Sequence, residues 1–233
     1  MPHYRAIMQR RSKGRKESRE MQKNAHDQYM QFGCGYTSIP EGWINFDASP
    51  TLFLQRIPLL SSLTRKYIKP RFPDNIILGD ITRDLPIEKG SCKGIYCSHV
   101  LEHLSLEDCR AAIKNTYLYL APHGIFRLVM PDLNYLVQQY IISNNPSASV
   151  DFMKDSLLGV TKRERSVSMF LRNYFGNAHH LWLWDFKSAK SELEKAGFKE
   201  IRNAQFGDSR DPKFNEIEDE SRWKNCLGIE CQK

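Results

Sequence analysis

The sequence predicts an α/β domain built on an open, mainly parallel sheet. Three observations point there. Short apolar runs alternate with stretches of helical periodicity along most of the chain. The first run, Tyr29-Met30-Gln31-Phe32, enters a Gly33-Cys34-Gly35 turn, and the next, Gly42-Trp43-Ile44-Asn45-Phe46, closes on Asp47. Later runs also end in polar tips, at Asp80 and at Ser98-His99. The carboxyl ends of the strands are where such sheets hold their ligands.

Taken in order, residues 1–27 are polar, basic and without a clear period, and read as a flexible arm ahead of a domain spanning 28–233. Strand one is expected over 29–34 and strand two over 43–47. Residues 51–73 combine large apolar side chains with five basic residues and no acid. They read as an amphipathic lid or crossover; Pro58 and Pro70 interrupt any long helix. A segment of this kind can also lie on an anionic membrane surface. Strand three is expected over 75–80 and strand four over 93–99. Ser105, with Asp108 three residues on, resembles a capping box. The helix it opens carries one apolar stripe, Ala112, Ile113, Tyr117, Leu118 and Leu120. Ala121-Pro122-His123-Gly124 stops that helix, strand five follows over 125–130, and Pro131-Asp132 opens another helix. Residues 143–180 lack a clean pattern and read as a helical insertion over the site. A helix from about Phe186 to Ala196 ends at Gly197, a good C-cap. Strand six is expected over 198–203 and a last strand over 225–231.

The 233 residues suffice for one full core. The net charge of +7 is unevenly spread: residues 1–23 hold eight Lys/Arg against two acids, so +6 sits in those residues and +1 in the other 210. A nucleic-acid footprint across the body is therefore not supported. Six scattered cysteines without a Cys-x-x-Cys pair suit a reduced, cytoplasmic protein rather than a disulfide framework. The N-terminus lacks the apolar region of a signal peptide, and no apolar run is long enough to span a membrane.

In an α/β sheet, a glycine loop after strand one covers one end of a ligand, and a carboxylate at the tip of strand two reaches ribose hydroxyls. Alone this signal is weak, because two glycines at a strand end also make an ordinary turn. The sequence gains weight as a series. Phe32-Gly33-Cys34-Gly35 is followed by Gly42 through Asp47, by Gly79-Asp80-Ile81-Thr82-Arg83-Asp84-Leu85-Pro86 and by Ile95-Tyr96-Cys97-Ser98-His99-Val100-Leu101-Glu102-His103-Leu104. Leu120-Ala121-Pro122-His123-Gly124 through Leu133, then Ala196-Gly197-Phe198 and Phe206-Gly207-Asp208-Ser209, complete it. In this order the blocks resemble the class I S-adenosylmethionine-dependent methyltransferases, and most closely the type 11 branch found among bacterial polysaccharide genes. The resemblance covers about residues 30–233 and departs at His123, where the family usually has glycine.

The resemblance implies a Rossmann-like fold with a seven-stranded, mostly parallel sheet flanked by helices, and S-adenosylmethionine as cofactor. Gly33, Cys34 and Gly35 would pass close to its methionine part, and Asp47 would accept from the ribose hydroxyls. Asp80 and Ile81 would hold the adenine, and Ser98 and His99 would flank the sulfonium. The family context implies a sugar hydroxyl as acceptor, on a lipid- or nucleotide-linked glycan, with peripheral membrane contact through 51–73 or the arm. Transfer to an alcohol needs its proton removed as attack proceeds, and histidine suits that near neutral pH. His99 is the first candidate base, His179 and His180 the second, and Asp132 also points toward the ligand edge.

Two other classes stand beside this one: a binding or scaffold protein on the same fold, and an enzyme acting on nucleic acid through its basic arm. A third pattern competes locally. His99-x-x-Glu102-His103 matches the inverted zinc-peptidase motif. Metal ligation of that kind needs both histidines on one helix face and a third ligand. Here the motif directly follows a strand and leaves Asp47 and Asp80 unexplained, so no metal is expected.

Overall fold

The computed structural model describes residues 28–36, 40–57, 71–161 and 179–233. The arm 1–27, residues 58–70 of the 51–73 stretch and residues 162–178 of the 143–180 insertion lie outside the described residues. Seven strands form one sheet in the order β3-β2-β1-β4-β5-β7-β6. They are β1 (Gln28–Phe32), β2 (Trp43–Asp47), β3 (Ile76–Leu78), β4 (Cys92–Ser98), β5 (Leu120–Pro131), β6 (Lys199–Ala204) and β7 (Cys226–Gln232). The first five pair in parallel; β7 runs antiparallel to both β5 and β6. The open, mostly parallel sheet expected from the alternating pattern is thus observed. The order in which strands are added reverses at β1, with β2 and β3 on one side and β4 and β5 on the other, and the crevice at that switch point holds the glycine turn.

The period of two sorts the strands onto two faces. Met30, Phe32, Ile95, Cys97, Phe126, Leu128, Met130, Leu227 and Ile229 form the larger core. Two helices complete it, α2 (Leu106–Tyr119) through Ala112 and Ile113, and α5 (Phe186–Ala196) through Ala189 and Leu193. Both are capped as their sequences suggest. The Ser105 hydroxyl accepts from the Asp108 N–H, but the Asp108 carboxylate accepts from that hydroxyl rather than from the Ser105 backbone, so only half of a capping box forms. A full box opens α5, between Asp185 and Ser188. Gly197 closes that helix at φ 107°, where a side chain would be strained.

The opposite face has a smaller core of Tyr29, Trp43, Tyr96, Val129, Phe214 and Trp223. Here the cover is irregular chain from 205 to 225 with two 3₁₀ turns, Pro212–Glu216 and Glu220–Arg222. Gly228 is what lets it sit so close: a Cβ there would stand 2.3 Å from the Trp223 ring. Under this cover lies Arg127, fully buried in the middle of β5. Its guanidinium pairs with Glu218, with Asp208 at 3.0 Å and with Glu230 at 3.1 Å, and lies 4.6 Å from the Trp223 ring centroid.

Three details differ from the expectation. The strand β1 stops at Phe32 because Gly33 turns left-handed at φ 68°. The Ala121–Gly124 stretch does not precede β5 but lies within it, as an irregularity where Cys92 pairs with Leu120 and Gly94 with Ile125. His123 takes the left-handed conformation, φ 64°, that a glycine would suit better, and carbonyl and amide contacts to Gln232 and Lys233 hold it. The strand β6 begins one residue late, since Phe198 is spent closing α5 through its N–H to the Leu193 carbonyl.

A short helix, α1 (Pro50–Arg56), opens at Ser49, and Gln55 and Arg56 tie it to the backbone at Phe72, Asp74 and Ile76. After β5 come α3 (Leu133–Ile142) and α4 (Ala148–Asp155), neither of which buries a side chain fully. No helix of the described residues is long and apolar enough to cross a membrane.

Removing one partner from a buried ion-pair network leaves the other charges uncompensated, at a cost of about 3–5 kcal/mol. Arg127→Met should therefore destabilise the fold by about that amount in urea unfolding. A loss below about 1 kcal/mol would show that the network is not a main support of the second face.

Candidate functional site

The carboxyl ends of β1, β2, β3 and β4 converge on a cleft of about 540 Å³. Gly33, Cys34, Gly35, Asp47, Asp80, Ile81 and His99, all singled out in the sequence, line it. Ser98, Asp132, His179 and His180 do not. Tyr36, Phe72, Val100, His103, Leu104 and Arg222 line it without having been foreseen as site residues.

Gly33 is fixed by contact as much as by conformation. A Cβ at this position would lie 2.1 Å from Val100 Cγ2, so the turn after β1 and the loop after β4 touch only because there is no side chain. The Gly33 N–H is taken by the Phe46 carbonyl at 2.8 Å. The Gly35 N–H donates to Asp47 Oδ2 at 2.9 Å, and the Ser49 N–H donates to Asp47 Oδ1 at 2.8 Å. Each carboxylate oxygen of Asp47 thus has one backbone donor and keeps acceptor capacity. Asp80 is used partly for its own turn: Oδ1 accepts from the Thr82 N–H and hydroxyl, and Oδ2 lies 3.7 Å from Arg83 Nε. Ile81 is buried at the cleft wall, and Tyr36 and Phe72 stack at 4.3 Å on another side. Burial pushes the Cys34 thiol up to about 12, aided by the nearby Asp47 charge, so it is no nucleophile near neutral pH.

The other wall is built differently from the expectation. Ser98 is buried, its hydroxyl accepting from Arg222 Nε at 2.6 Å and its carbonyl from Arg222 Nη2 at 2.9 Å. It therefore holds Arg222 against the cleft rather than flanking a ligand itself. His99 sits at φ 54°, with Nδ1 3.3 Å from Glu102 Oε1 and Nε2 2.9 Å from the Arg222 carbonyl. Desolvation works to lower the ring's pKa, but the contacts with Cys226, Glu102 and the Arg222 carbonyl outweigh it and raise it to about 10. The ring is then an imidazolium, with Nε2 held by the Arg222 carbonyl and Nδ1 at ion-pair distance from Glu102, and a ring already protonated takes no proton from an acceptor. The role of base does not fit His99 in this geometry.

The remaining candidates are placed by structure as follows. The Asp132 carboxylate caps α3, accepting from the Asn134 N–H. His180 is buried, its Nδ1 2.8 Å from the Ser156 carbonyl, and burial holds its pKa below the ordinary value. The His179 ring is 3.4 Å from the Leu157 carbonyl. His103 lines the cleft, with Nδ1 3.1 Å from the His179 carbonyl. The peptidase reading of the His99–His103 stretch fails on geometry: His99 precedes the 3₁₀ turn Leu101–His103, so the two rings do not share a helix face.

Residues 31–128, from the glycine turn through β5, match the family described as a methyltransferase domain. Through this domain the protein is an S-adenosylmethionine-dependent methyltransferase. No curated relative matches this sequence. Among solved structures, the methyltransferase resembles an S-adenosylmethionine-dependent methyltransferase from Archaeoglobus fulgidus at 15% identity, covering 96% of this chain and 94% of that one, with a TM-score of 0.46. It is also similar to a methyltransferase from Haloferax volcanii solved with the Trm112 activator, at 13% identity, 90% and 82% coverage and a TM-score of 0.46. PigF with SAH matches at 16% identity, 89% and 51% coverage and a TM-score of 0.47.

The raised pKa of His99 carries a signed prediction. A group whose value is higher folded than unfolded stabilises the protein fully below its unfolded value, and that contribution fades as pH rises through the folded value. The stability difference between the wild type and His99→Gln should thus be largest below about pH 6.5 and shrink toward pH 10. Histidine-resolved NMR should show the ring doubly protonated at pH 8. A midpoint near the ordinary value would refute the ion pair with Glu102.

Proposed function

We propose that the methyltransferase O-methylates a sugar hydroxyl of a surface polysaccharide or its precursor. The observation that carries the cofactor half of this reading is Asp47: a buried carboxylate at the tip of β2, oriented by the Gly35 and Ser49 amides and still able to accept. In this reading it receives the ribose hydroxyls. Gly33, Cys34 and Gly35 pass the methionine part, Ile81 gives an apolar edge to the adenine, and the open Oδ2 of Asp80 accepts from its amino group. The acceptor enters between the His99–Leu104 loop and Arg222.

The transfer breaks the sulfur–methyl bond and forms an oxygen–methyl bond, and the hydroxyl proton must leave. The leaving thioether needs no protonation, so alignment is the main task. The His99 imidazolium cannot take that proton, which leaves to water on the His103 side of the cleft. An acceptor linked to lipid would bring the protein to a membrane surface, and α1 exposes Phe53 and Leu54 beside the cleft for such contact.

Asp47→Asn should weaken S-adenosylhomocysteine binding about 10–100-fold by calorimetry, the loss of a hydrogen bond to a charged group. Unchanged affinity would remove Asp47 from the ribose role. With labelled S-adenosylmethionine, label should pass to nucleotide-linked or lipid-linked glycans and resist mild base as an ether does. Label appearing instead on amines or RNA alone would overturn the sugar reading while leaving the transferase intact.

A further inference from the structure

Behind the cleft wall, Glu102 is 1% exposed, and neither of its carboxylate oxygens has a hydrogen-bond partner among the described residues. His99 Nδ1 approaches Oε1 within ion-pair distance, at 3.3 Å, but without hydrogen-bond alignment, and Oε2 has nothing. A carboxylate so buried and so poorly satisfied is costly unless it is paired or holds a metal. Two imidazoles stand beside it. One ligand atom each from Glu102, His103 and His180 lies within 4.8 Å of the others, and the two rings meet edge to face at 4.9 Å between centroids.

The imidazoles are set up for coordination. His103 Nδ1 lies 3.1 Å from the His179 carbonyl and His180 Nδ1 2.8 Å from the Ser156 carbonyl. A backbone acceptor at Nδ1 fixes the tautomer with the proton there and leaves Nε2 as a lone pair, which is how metal-binding histidines are commonly held. His99 supplies the same support to the carboxylate, engaging Oε1 and leaving Oε2. The backbone is braced as well: the Glu102 carbonyl accepts from the Leu181 and Trp182 N–H groups at 2.7 and 3.1 Å.

We propose that Glu102, His103 and His180 bind a divalent metal ion of the zinc class. Two neutral imidazoles and a carboxylate suit zinc or cobalt rather than calcium or magnesium, which prefer all-oxygen sites. Metal–ligand bonds of about 2.0–2.2 Å place tetrahedral ligand atoms about 3.4 Å apart, so the side chains draw inward on binding. Because His103 also lines the cleft, the fourth position adjoins it. An oxygen bound there is acidified, so a hydroxyl acceptor that reached it would give up its proton more easily. Only that consequence rests on the sugar-transfer reading; the site itself does not.

The full chain, stripped with chelator and dialysed, should take up about one zinc per chain by calorimetry and mass spectrometry. Cobalt should give the visible bands of a four-coordinate nitrogen and oxygen site. Glu102→Gln and His180→Ala should each weaken zinc about 10–100-fold, while His123→Ala, at a distant turn, should not. S-adenosylhomocysteine should still raise the melting temperature of both variants, which verifies their fold; the glutamine variant keeps the shape if the alanine variant does not fold. No zinc uptake and no cobalt bands, with the cofactor shift intact, would overturn the metal site and spare the transferase. Zinc binding that neither variant weakens would place the ion elsewhere and overturn it equally. Zinc binding lost in both variants, with no cofactor shift in the wild type, would uphold the metal and count against the cofactor cleft.

Discussion

A carboxyl group carried into the interior at Glu102 organises the wall of the cleft that follows β4. A carboxylate excluded from water must find compensation nearby; His99 stands at ion-pair distance, and two further imidazoles stand beside it. His99 comes from the end of β4, His103 from the turn that follows, and His180 from the far end of the insertion. The backbone carbonyl of the same residue anchors Leu181 and Trp182. Two residues later Trp184 bridges to Asp132, and Asp185 starts α5. One buried residue thereby fixes the backbone at Leu181 and Trp182, ahead of α5. It also explains why His99, the obvious base by position, is held as a cation.

The cofactor side rests on an opposite device, the absence of a side chain. Gly33 meets Val100 where no Cβ fits, so the turn after β1 is registered against the loop after β4 by shape alone. Asp47 then stitches that turn to the start of α1 by accepting from Gly35 and Ser49. The two halves of the cleft are therefore joined at one contact, with neutral packing and backbone amides on one side and buried charge on the other. Movement of the Gly33 turn would shift the loop that carries His99 and Glu102.

The cofactor half was legible in the sequence because its parts are local. A strand tip, a glycine turn and a carboxylate twelve residues on are encoded within one segment, and the two-residue and helical periods gave the order of strands and helices around them. The other half was not legible in the same way. Ser98 reads as a polar strand tip, but its partner, Arg222, lies 124 residues away. Nothing local announces that pairing. Arg127 sits in an otherwise apolar run, and its partners Asp208, Glu218 and Glu230 are scattered through the C-terminal segment. The pattern His99-x-x-Glu102-His103 does not announce the proposed cluster, because it pairs His103 with His99. The ring that joins His103 is His180, brought in by tertiary structure.

The C-terminal cover links the second face of the sheet to the site. Trp223 packs over the Arg127 guanidinium and against Gly228, and the preceding residue is Arg222, whose side chain holds Ser98 and whose carbonyl accepts from His99. The ion-pair network around Arg127 is therefore more than a support for the fold. It sets the height of the 3₁₀ turn Glu220–Arg222 above the end of β4, and with it the carbonyl that keeps His99 Nε2 engaged. A buried polar network satisfies its members only in one arrangement, and that rigidity passes along two residues of backbone into the cleft. A helix packed on this face would have buried apolar area without presenting a carbonyl and a guanidinium together at a strand tip. The irregular cover, which costs more backbone order for less hydrophobic burial, is what delivers both.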